Sequence, residues 1–331
     1  MHTNGTISQL PLVTLYLSER CNSRCITCDY WRYGRTDLSL ETVRGLLPSL
    51  GRLGTEAILI SGGEPLLNAE WAQIAELLRS RGLKLWLLTS GLSLAKHARR
   101  AAALFDTITV SLDGTNRATY AAIRGLDAFD TVCDGIRAAA AAGARVTVRV
   151  TLQRANYPEL LAFVTLARGC GARQISFLAV DVANPHAFAR QETSSLDLAL
   201  HADDLSEFEG LLAELEQVYA HEFRSQFIAE SPLKMRRLLQ YFRAANGLGD
   251  FPVVRCNAPE FSAVVAANGS VKPCFFIPGP ANAVVRADLE EVLNAPASLQ
   301  LRARIRARER PECARCVCSV WRDLPTSLSG H

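Results

Sequence analysis

Cys21, Cys25 and Cys28 stand in a C-x3-C-x2-C spacing directly after a short apolar run at 12–17. Three thiolates this close on one loop are, by type and spacing, metal ligands. A structural zinc takes four protein ligands in a closed tetrahedron. No fourth cysteine or histidine is near in sequence, the closest histidines being His2 and His97. Iron–sulfur clusters are held by cysteine thiolates, usually four. A [4Fe–4S] cluster on three cysteines therefore leaves one iron open to a ligand that is not protein. The competing reading is a zinc knuckle completed from elsewhere in the chain.

Five more cysteines gather late in the sequence, at Cys256, Cys274, Cys313, Cys316 and Cys318. Four suffice to close a second metal centre. A four-cysteine zinc ribbon is one form of it and a second iron–sulfur cluster the other. Cys133 and Cys170 stand apart in alanine- or leucine-rich segments and read as small buried hydrophobes. The 331 residues are 49% hydrophobic, enough for a sizeable core, and the formal net charge is +3. That charge gives no reason to expect nucleic acid or an anionic membrane. No apolar run approaches the roughly 18 residues of a membrane span. The polar start at 1–10 lacks the parts of a signal peptide. These features point to a cytoplasmic protein whose cysteines are ligands, not disulfides.

The elements that must position these residues alternate. Apolar runs at 12–17, 57–60, 83–88, 107–112, 146–152 and 174–180 read as strands. Helical periodicity fills 40–50, 70–81, 92–104, 129–142 and 158–168 between them. This β-α order predicts an α/β fold with a parallel sheet and helical crossovers. Six units are too few for an eight-stranded barrel, so a partial (βα)6 barrel is expected. In parallel architectures sites form at the C-terminal strand ends. There the cysteines follow strand one, Gly62-Gly63-Glu64-Pro65 follows strand two, Ser90 follows strand three, and Ser111 and Asp113 close strand four. Beyond residue 184 the pattern changes to helices at 194–220 and 231–245, with acidic residues as a solvated face. A linker at 246–250 follows, then a hairpin around Asn268-Gly269, with Cys274 in its second strand, and a helix over 288–308. The expected division is a barrel at 1–193, a helical connector bordering the active site at 194–250, and a small β-hairpin/helix metal domain at 251–331.

With its cysteine triad and Gly62-Gly63-Glu64-Pro65 at these places in the β-α order, the chain resembles the radical S-adenosylmethionine (SAM) enzymes over roughly 10–182. The resemblance implies a [4Fe–4S] cluster on Cys21, Cys25 and Cys28, with SAM chelating the open iron. Reductive cleavage of SAM would give a 5′-deoxyadenosyl radical that abstracts a substrate hydrogen. Gly62, Gly63, Glu64 and Pro65 would bind the SAM amino group; Glu64 either fixes the turn or meets the ammonium. Ser90, Ser111 and Asp113 would bind the ribose, the alternative being helix capping. Arg124 would reach the SAM carboxylate, the alternative being a surface arginine. Thr27 departs from the family, many members of which have an aromatic residue before the third cysteine; Tyr30 or Trp31 would compensate.

The later cysteines resemble the twitch auxiliary-cluster domain, a shortened SPASM domain. The resemblance implies a second [4Fe–4S] cluster on Cys256, Cys274, Cys313 and Cys316, with Cys318 as an alternative to Cys316 or free. Such a cluster would accept an electron from the substrate radical, as in twitch dehydrogenases of aminoglycoside alcohols. Redox-neutral outcomes stay open. Candidate substrate-contacting residues at the strand ends are Arg149, Arg154, Asp181 and His186, of which Asp181, His186 and Arg149 are the catalytic candidates. The run Arg302, Arg304, Arg306, Arg308 and Arg310 reads as a solvated helix end, as charge compensation for a cluster, or as a thin nucleic-acid footprint. Little chain precedes the first strand, which argues against the N-terminal peptide-recognition domain of ribosomal-peptide maturases. The expected partners are a small polar substrate of specialised metabolism (a sugar, aminocyclitol or nucleoside) and an external one-electron reductant of flavodoxin or ferredoxin type. Neither nucleic acid nor membrane is expected.

Overall fold

The structure is a computed structural model that describes residues 5–182, 184, 187–190, 196–285 and 288–323. His186 and the expected boundary at 193/194 lie outside the described residues. The strands are β1 (Leu12–Ser18), β2 (Ala57–Gly62), β3 (Lys84–Thr89), β4 (Thr107–Ser111), β5 (Val146–Leu152), β6 (Gln174–Ala179), β7 (Ser262–Val265) and β8 (Val271–Lys272). They form one sheet in the order β6-β5-β4-β3-β2-β1-β7-β8. The first six are parallel throughout.

The helices are α1 (Tyr30–Tyr33), α2 (Leu40–Arg52), α3 (Trp71–Arg79), α4 (Leu94–Leu104), α5 (Arg117–Arg124), α6 (Phe129–Ala141), α7 (Leu160–Gly169), α8 (Leu205–Val218), α9 (Ala220–Arg224), α10 (Pro232–Ala245), α11 (Ala258–Phe261), α12 (Leu289–Asn294), α13 (Pro296–Arg306) and α14 (Pro311–Ala314). The long ones between β1 and β6 are the crossovers that parallel pairing requires. Side-chain alternation splits β4 and β5 between two environments. On β4, Ile108 and Val110 are fully buried, whereas Thr107, Thr109 and Ser111 on the other face are half-buried. On β5, Val148, Val150 and Leu152 are fully buried and Arg149 and Thr151 half-buried. The apolar face packs in the continuous core beneath the helices, and the polar face lines the lumen of a partial (βα)6 barrel.

Three expectations need correction. The helix expected over 194–220 is, from residue 196 on, two short 3-10 turns (Leu196–Leu198 and Ala202–Asp204) followed by α8 and α9. The helix expected over 288–308 is broken into α12 and α13 at Ala295, because Pro296 disfavours the helical conformation in the residue before it. Cys274 lies two residues past β8, not inside it, since that strand pairs for only two residues. The hairpin joins the barrel sheet. β7 pairs parallel with β1, Leu12 opposite Ser262 through Leu15 opposite Val265, so the late cysteines hang from an edge of the barrel sheet. The N-terminus reinforces this join: Asn294 bonds both Ile7 N and Ile7 O, and Leu289 N donates to Ser49 Oγ of α2.

Candidate functional site

The ends of β1 and β2 are stitched together. Gly63 N donates to Ser18 O (2.7 Å) and Glu64 N to Arg20 O (2.8 Å). A Cβ on Gly63 would lie 2.5 Å from the carbonyl oxygens of both Glu19 and Arg20, so only glycine allows this approach. Gly62 pairs with Ser18, and Pro65 opens a 3-10 turn, Pro65–Leu67. Glu64 is fully buried. Its Oε1 accepts from Leu66 N (3.1 Å) and Thr89 Oγ1 (2.8 Å), and its Oε2 from Ser90 N (2.7 Å). Burial pushes this carboxyl above the usual range, and bonds from Ser90, Thr89 and Leu66 draw it partly back. Both oxygens are thus committed to holding the turn and tying the end of β2 to the end of β3.

The cysteine loop is gripped by α5. Arg24 N donates to Arg124 O and Ile26 N to Ile123 O, both at 3.0 Å. Ser23 Oγ lies 3.3 Å from Arg124 O and 3.2 Å from Cys25 Sγ. The helix can come this close because it ends on Gly125, in the left-handed region at φ +74. A Cβ there would sit 2.3 Å from Arg24 O. Sequence reasoning missed this residue, although a glycine at the end of a helical run is a recognised stop signal. From the other side Ser90 Oγ reaches Asn22 Oδ1 of the loop (3.3 Å).

Arg124 is buried, not a surface arginine. Its Nη1 donates to Asp113 Oδ2 (3.2 Å), and Asp113 Oδ1 accepts from Thr151 N (2.7 Å). Burial alone would lower the guanidinium pKa, but the Cys25 thiol, Asp113 and Tyr120 outweigh it, so Arg124 stays charged. Burial pushes Asp113 up, and Arg124 pulls it back. Arg124 Nε is buried without a hydrogen-bond partner, within electrostatic reach of Cys21 and Cys25. Ser111 closes β4 in register with Arg149 of β5, whose Nε is also buried and unpartnered.

Asp181 stands just past β6, and Arg190 connects it to the cysteine loop. Arg190 Nη1 donates to Asp181 O (2.6 Å) and Nε to Thr27 O (3.1 Å). Phe188 O accepts from Asp29 N, and its ring meets Phe276 edge to face. Nothing in the sequence marks Arg190; only the chain's return past the cysteine loop gives it this place. The structure thus gathers Cys21, Cys25, Cys28, Gly62, Gly63, Glu64, Pro65, Ser90, Ser111, Asp113, Arg124 and Asp181 at the C-terminal strand ends, whereas Arg149, expected there, lies in the middle of β5 because that strand runs on to Leu152.

Burial pushes the Cys21 thiol up to about 11 and the Cys28 thiol up to about 12. Iron has to displace those protons to bind. Among the described residues no three His, Cys, Asp or Glu side chains converge on one point as ligands of a single ion do. Three thiols of one loop within electrostatic reach of one another, and an orphaned guanidinium donor beside them, fit a [4Fe–4S] cluster that carries SAM.

The late cysteines form a second group. Cys256 is within electrostatic reach of Cys274, Cys313, Cys316 and Cys318. Burial pushes Cys274 up to about 11 and raises Cys313 and Cys316 as well. Cys256, Cys274, Cys313 and Cys316 line one cavity of about 1460 Å³, and Cys318 does not. Instead Cys318 has Arg149, Lys234 and Glu230 of the barrel side among its electrostatic neighbours. The donor set of four thiols fits a closed iron–sulfur cluster.

Comparison with known proteins agrees with this geometry. Residues 15–167 match the model of the radical SAM superfamily, and residues 256–317 match the SPASM iron-sulfur cluster-binding domain. The chain belongs to the radical SAM superfamily and carries a C-terminal SPASM-type domain; its cofactors are SAM and two [4Fe–4S] clusters. It is 33% identical over 176 residues to a GTP 3′,8-cyclase of Erythrobacter litoralis, a match covering 49% of this chain and 52% of that one. A probable GTP 3′,8-cyclase of Saccharolobus islandicus is 25% identical over 268 residues, 78% of this chain and 81% of the other. The chain thus spans about half the length of the first curated relative and four fifths of the second. Streptococcus suis SuiB bound to SAM shares the fold with a TM-score of 0.67 at 15% identity, covering 91% of this chain and 69% of that one. No described helix is long and apolar enough to cross a membrane.

Proposed function

We propose that this radical SAM enzyme oxidises a small polar substrate, a sugar, aminocyclitol or nucleoside, and passes the released electron to the second cluster. When bound, SAM on the first cluster supplies the 5′-deoxyadenosyl radical that takes a hydrogen atom from the substrate. Cys21, Cys25 and Cys28 hold that cluster, and the Gly62–Pro65 turn holds the SAM amino end with backbone carbonyls. Arg124 would take the SAM carboxylate on its Nε, with Asp113 bonded to its Nη1. Ser90 and Ser111 would bind the ribose. Arg149, in the middle of β5, and Asp181, just past β6, border the substrate. Cys256, Cys274, Cys313 and Cys316 complete the second cluster.

One observation carries the oxidative reading. The four late cysteines line a single cavity to which no strand of β1–β6 contributes. Four thiolates suffice to meet every iron of one cluster with protein, which sets that cluster for electrons, not for substrate. The test is anaerobic reconstitution followed by turnover with candidate alcohols. About eight irons per chain, SAM cleavage and a carbonyl product support the reading. A product at the substrate's own oxidation level would overturn it.

A second reading rests on the relatives. Both are called GTP 3′,8-cyclases, which favours redox-neutral chemistry on a purine nucleotide. Formation of 5′-deoxyadenosine that depends on GTP would decide for it.

A further inference from the structure

The cavity of the late cysteines has an unusual rim. Five arginines line it, Arg255, Arg306, Arg308, Arg310 and Arg315, against two carboxylates, Glu260 and Glu312. The carboxylates are taken: Arg306 pairs with Glu260 (2.9 Å) and Arg310 with Glu312 (2.6 Å). Arg255, Arg308 and Arg315 are exposed and have no carboxylate partner among the described residues. Two are nevertheless held in place by stacking. The Arg255 guanidinium lies 4.0 Å from the centre of the Trp321 ring, and that of Arg315 lies 5.3 Å from the centre of Phe251. Large apolar side chains stand open among them, Val253 at 83% exposure and Trp321 at 46%.

Open tryptophan and arginine among apolar side chains is the composition of a protein-binding surface, not of a merely solvated one. The positive charge specifies an acidic partner. The position specifies what the partner does. The cavity is walled by Cys256, Cys274, Cys313 and Cys316, and neither Arg149 nor Asp181 nor any strand of the barrel reaches it. None of the strands β1–β6 lines it, so a protein seated on its rim stands at these cysteines and not at the strand ends. It can exchange an electron with the centre those cysteines hold.

We infer that the rim formed by Arg255, Arg308, Arg315, Trp321 and Val253 is the docking site of a small acidic one-electron carrier protein. The exchange is one electron between carrier and auxiliary cluster, with no bond made or broken. In the oxidative direction the carrier is reduced by one electron for each that the cluster gives up. The inference rests on the late cysteines holding the auxiliary cluster as an electron relay. Contacts of this kind are small and transient, at the low end of interface sizes.

The test uses the full chain with both clusters reconstituted anaerobically and a purified acidic flavodoxin as the probe. Affinity is measured by calorimetry at two salt concentrations. The expected result is that the double reversal Arg255→Glu/Arg308→Glu weakens binding by about tenfold or more, and that raising salt weakens the unaltered chain in the same sense. Arg100→Glu, on α4 far along the sequence and paired with Glu76, serves as the control and keeps the affinity. Iron content checks that each variant has kept its clusters. If the double reversal loses iron, Arg308→Gln replaces it and is expected to weaken binding by about threefold. Affinity within twofold of the unaltered chain, or an equal loss in the Arg100→Glu control, overturns the inference. A redox-neutral product would defeat the oxidative reading and leave this affinity measurement untouched, so the two failures are distinguishable.

Discussion

Gly125→Ala tests how the first site is built. At φ +74 an alanine sits in the left-handed region, which costs about 1–2 kcal/mol. Its Cβ would also stand 2.3 Å from Arg24 O and 2.7 Å from Arg24 Cβ, well inside contact distance. The clash is relieved only by moving the cysteine loop off α5. That breaks Arg24 N to Arg124 O and Ile26 N to Ile123 O, at about 0.5–1.5 kcal/mol each. The sum is about 2–5 kcal/mol, most of it falling on the loop that carries Cys21, Cys25 and Cys28. The loss is therefore expected as local failure of one site, not as global unfolding. Iron should drop from about eight to about four per chain, SAM cleavage should vanish, and the absorbance of the second cluster should remain. Gly143→Ala is the control: it has φ +89 but open space around its Cβ, so it costs only the backbone term of about 1–2 kcal/mol and keeps all its iron. A Gly125→Ala protein with full iron and SAM cleavage within about twofold of the parent would refute the grip of α5 on the cysteine loop.

Glu64→Gln must turn an amide N–H2 toward Leu66 N or Ser90 N, both of them donors; stability should fall by about 2–4 kcal/mol, read as a lower urea midpoint at unchanged slope. Asp113→Asn leaves Arg124 buried without its counter-charge, which costs about 3–5 kcal/mol in comparable pairs; weaker SAM binding in equilibrium dialysis is the expected readout, and unchanged binding would separate this pair from SAM. Cys316→Ala should lose the second cluster's iron, whereas Cys318→Ala should keep about eight irons per chain; the reverse pattern would exchange their roles. Arg190→Ala removes the bonds to Thr27 O and Asp181 O and should lower SAM cleavage with iron content retained, measured as 5′-deoxyadenosine released per turnover.

Much of the first site was legible because its signals are local. The C-x3-C-x2-C spacing needs no partner to be recognised, and Gly62-Gly63-Glu64-Pro65 declares a turn by composition alone. The β-α order follows from hydrophobic periods that each element carries by itself. Putting both motifs at C-terminal strand ends followed from that order. The sequence alone thus determined the cofactors and the barrel.

What it could not determine depends on residues far apart in the chain. Glu64 accepts from Thr89 and Ser90 at the next strand end, contacts that no local pattern announces. Arg124 became a buried group only through Asp113, just past β4, and the cysteine loop. Parallel pairing of β7 with β1 joins residues some 250 positions apart in sequence, and no local pattern encodes it. That pairing decides where the late cysteines stand. It hangs them on the barrel's edge, closes four of them around one cavity, and leaves Cys318 turned to another set of neighbours. Cysteine spacing names the metal chemistry because ligand type is a property of single residues. The direction each thiol faces is a property of packing, and only the folded chain sets it.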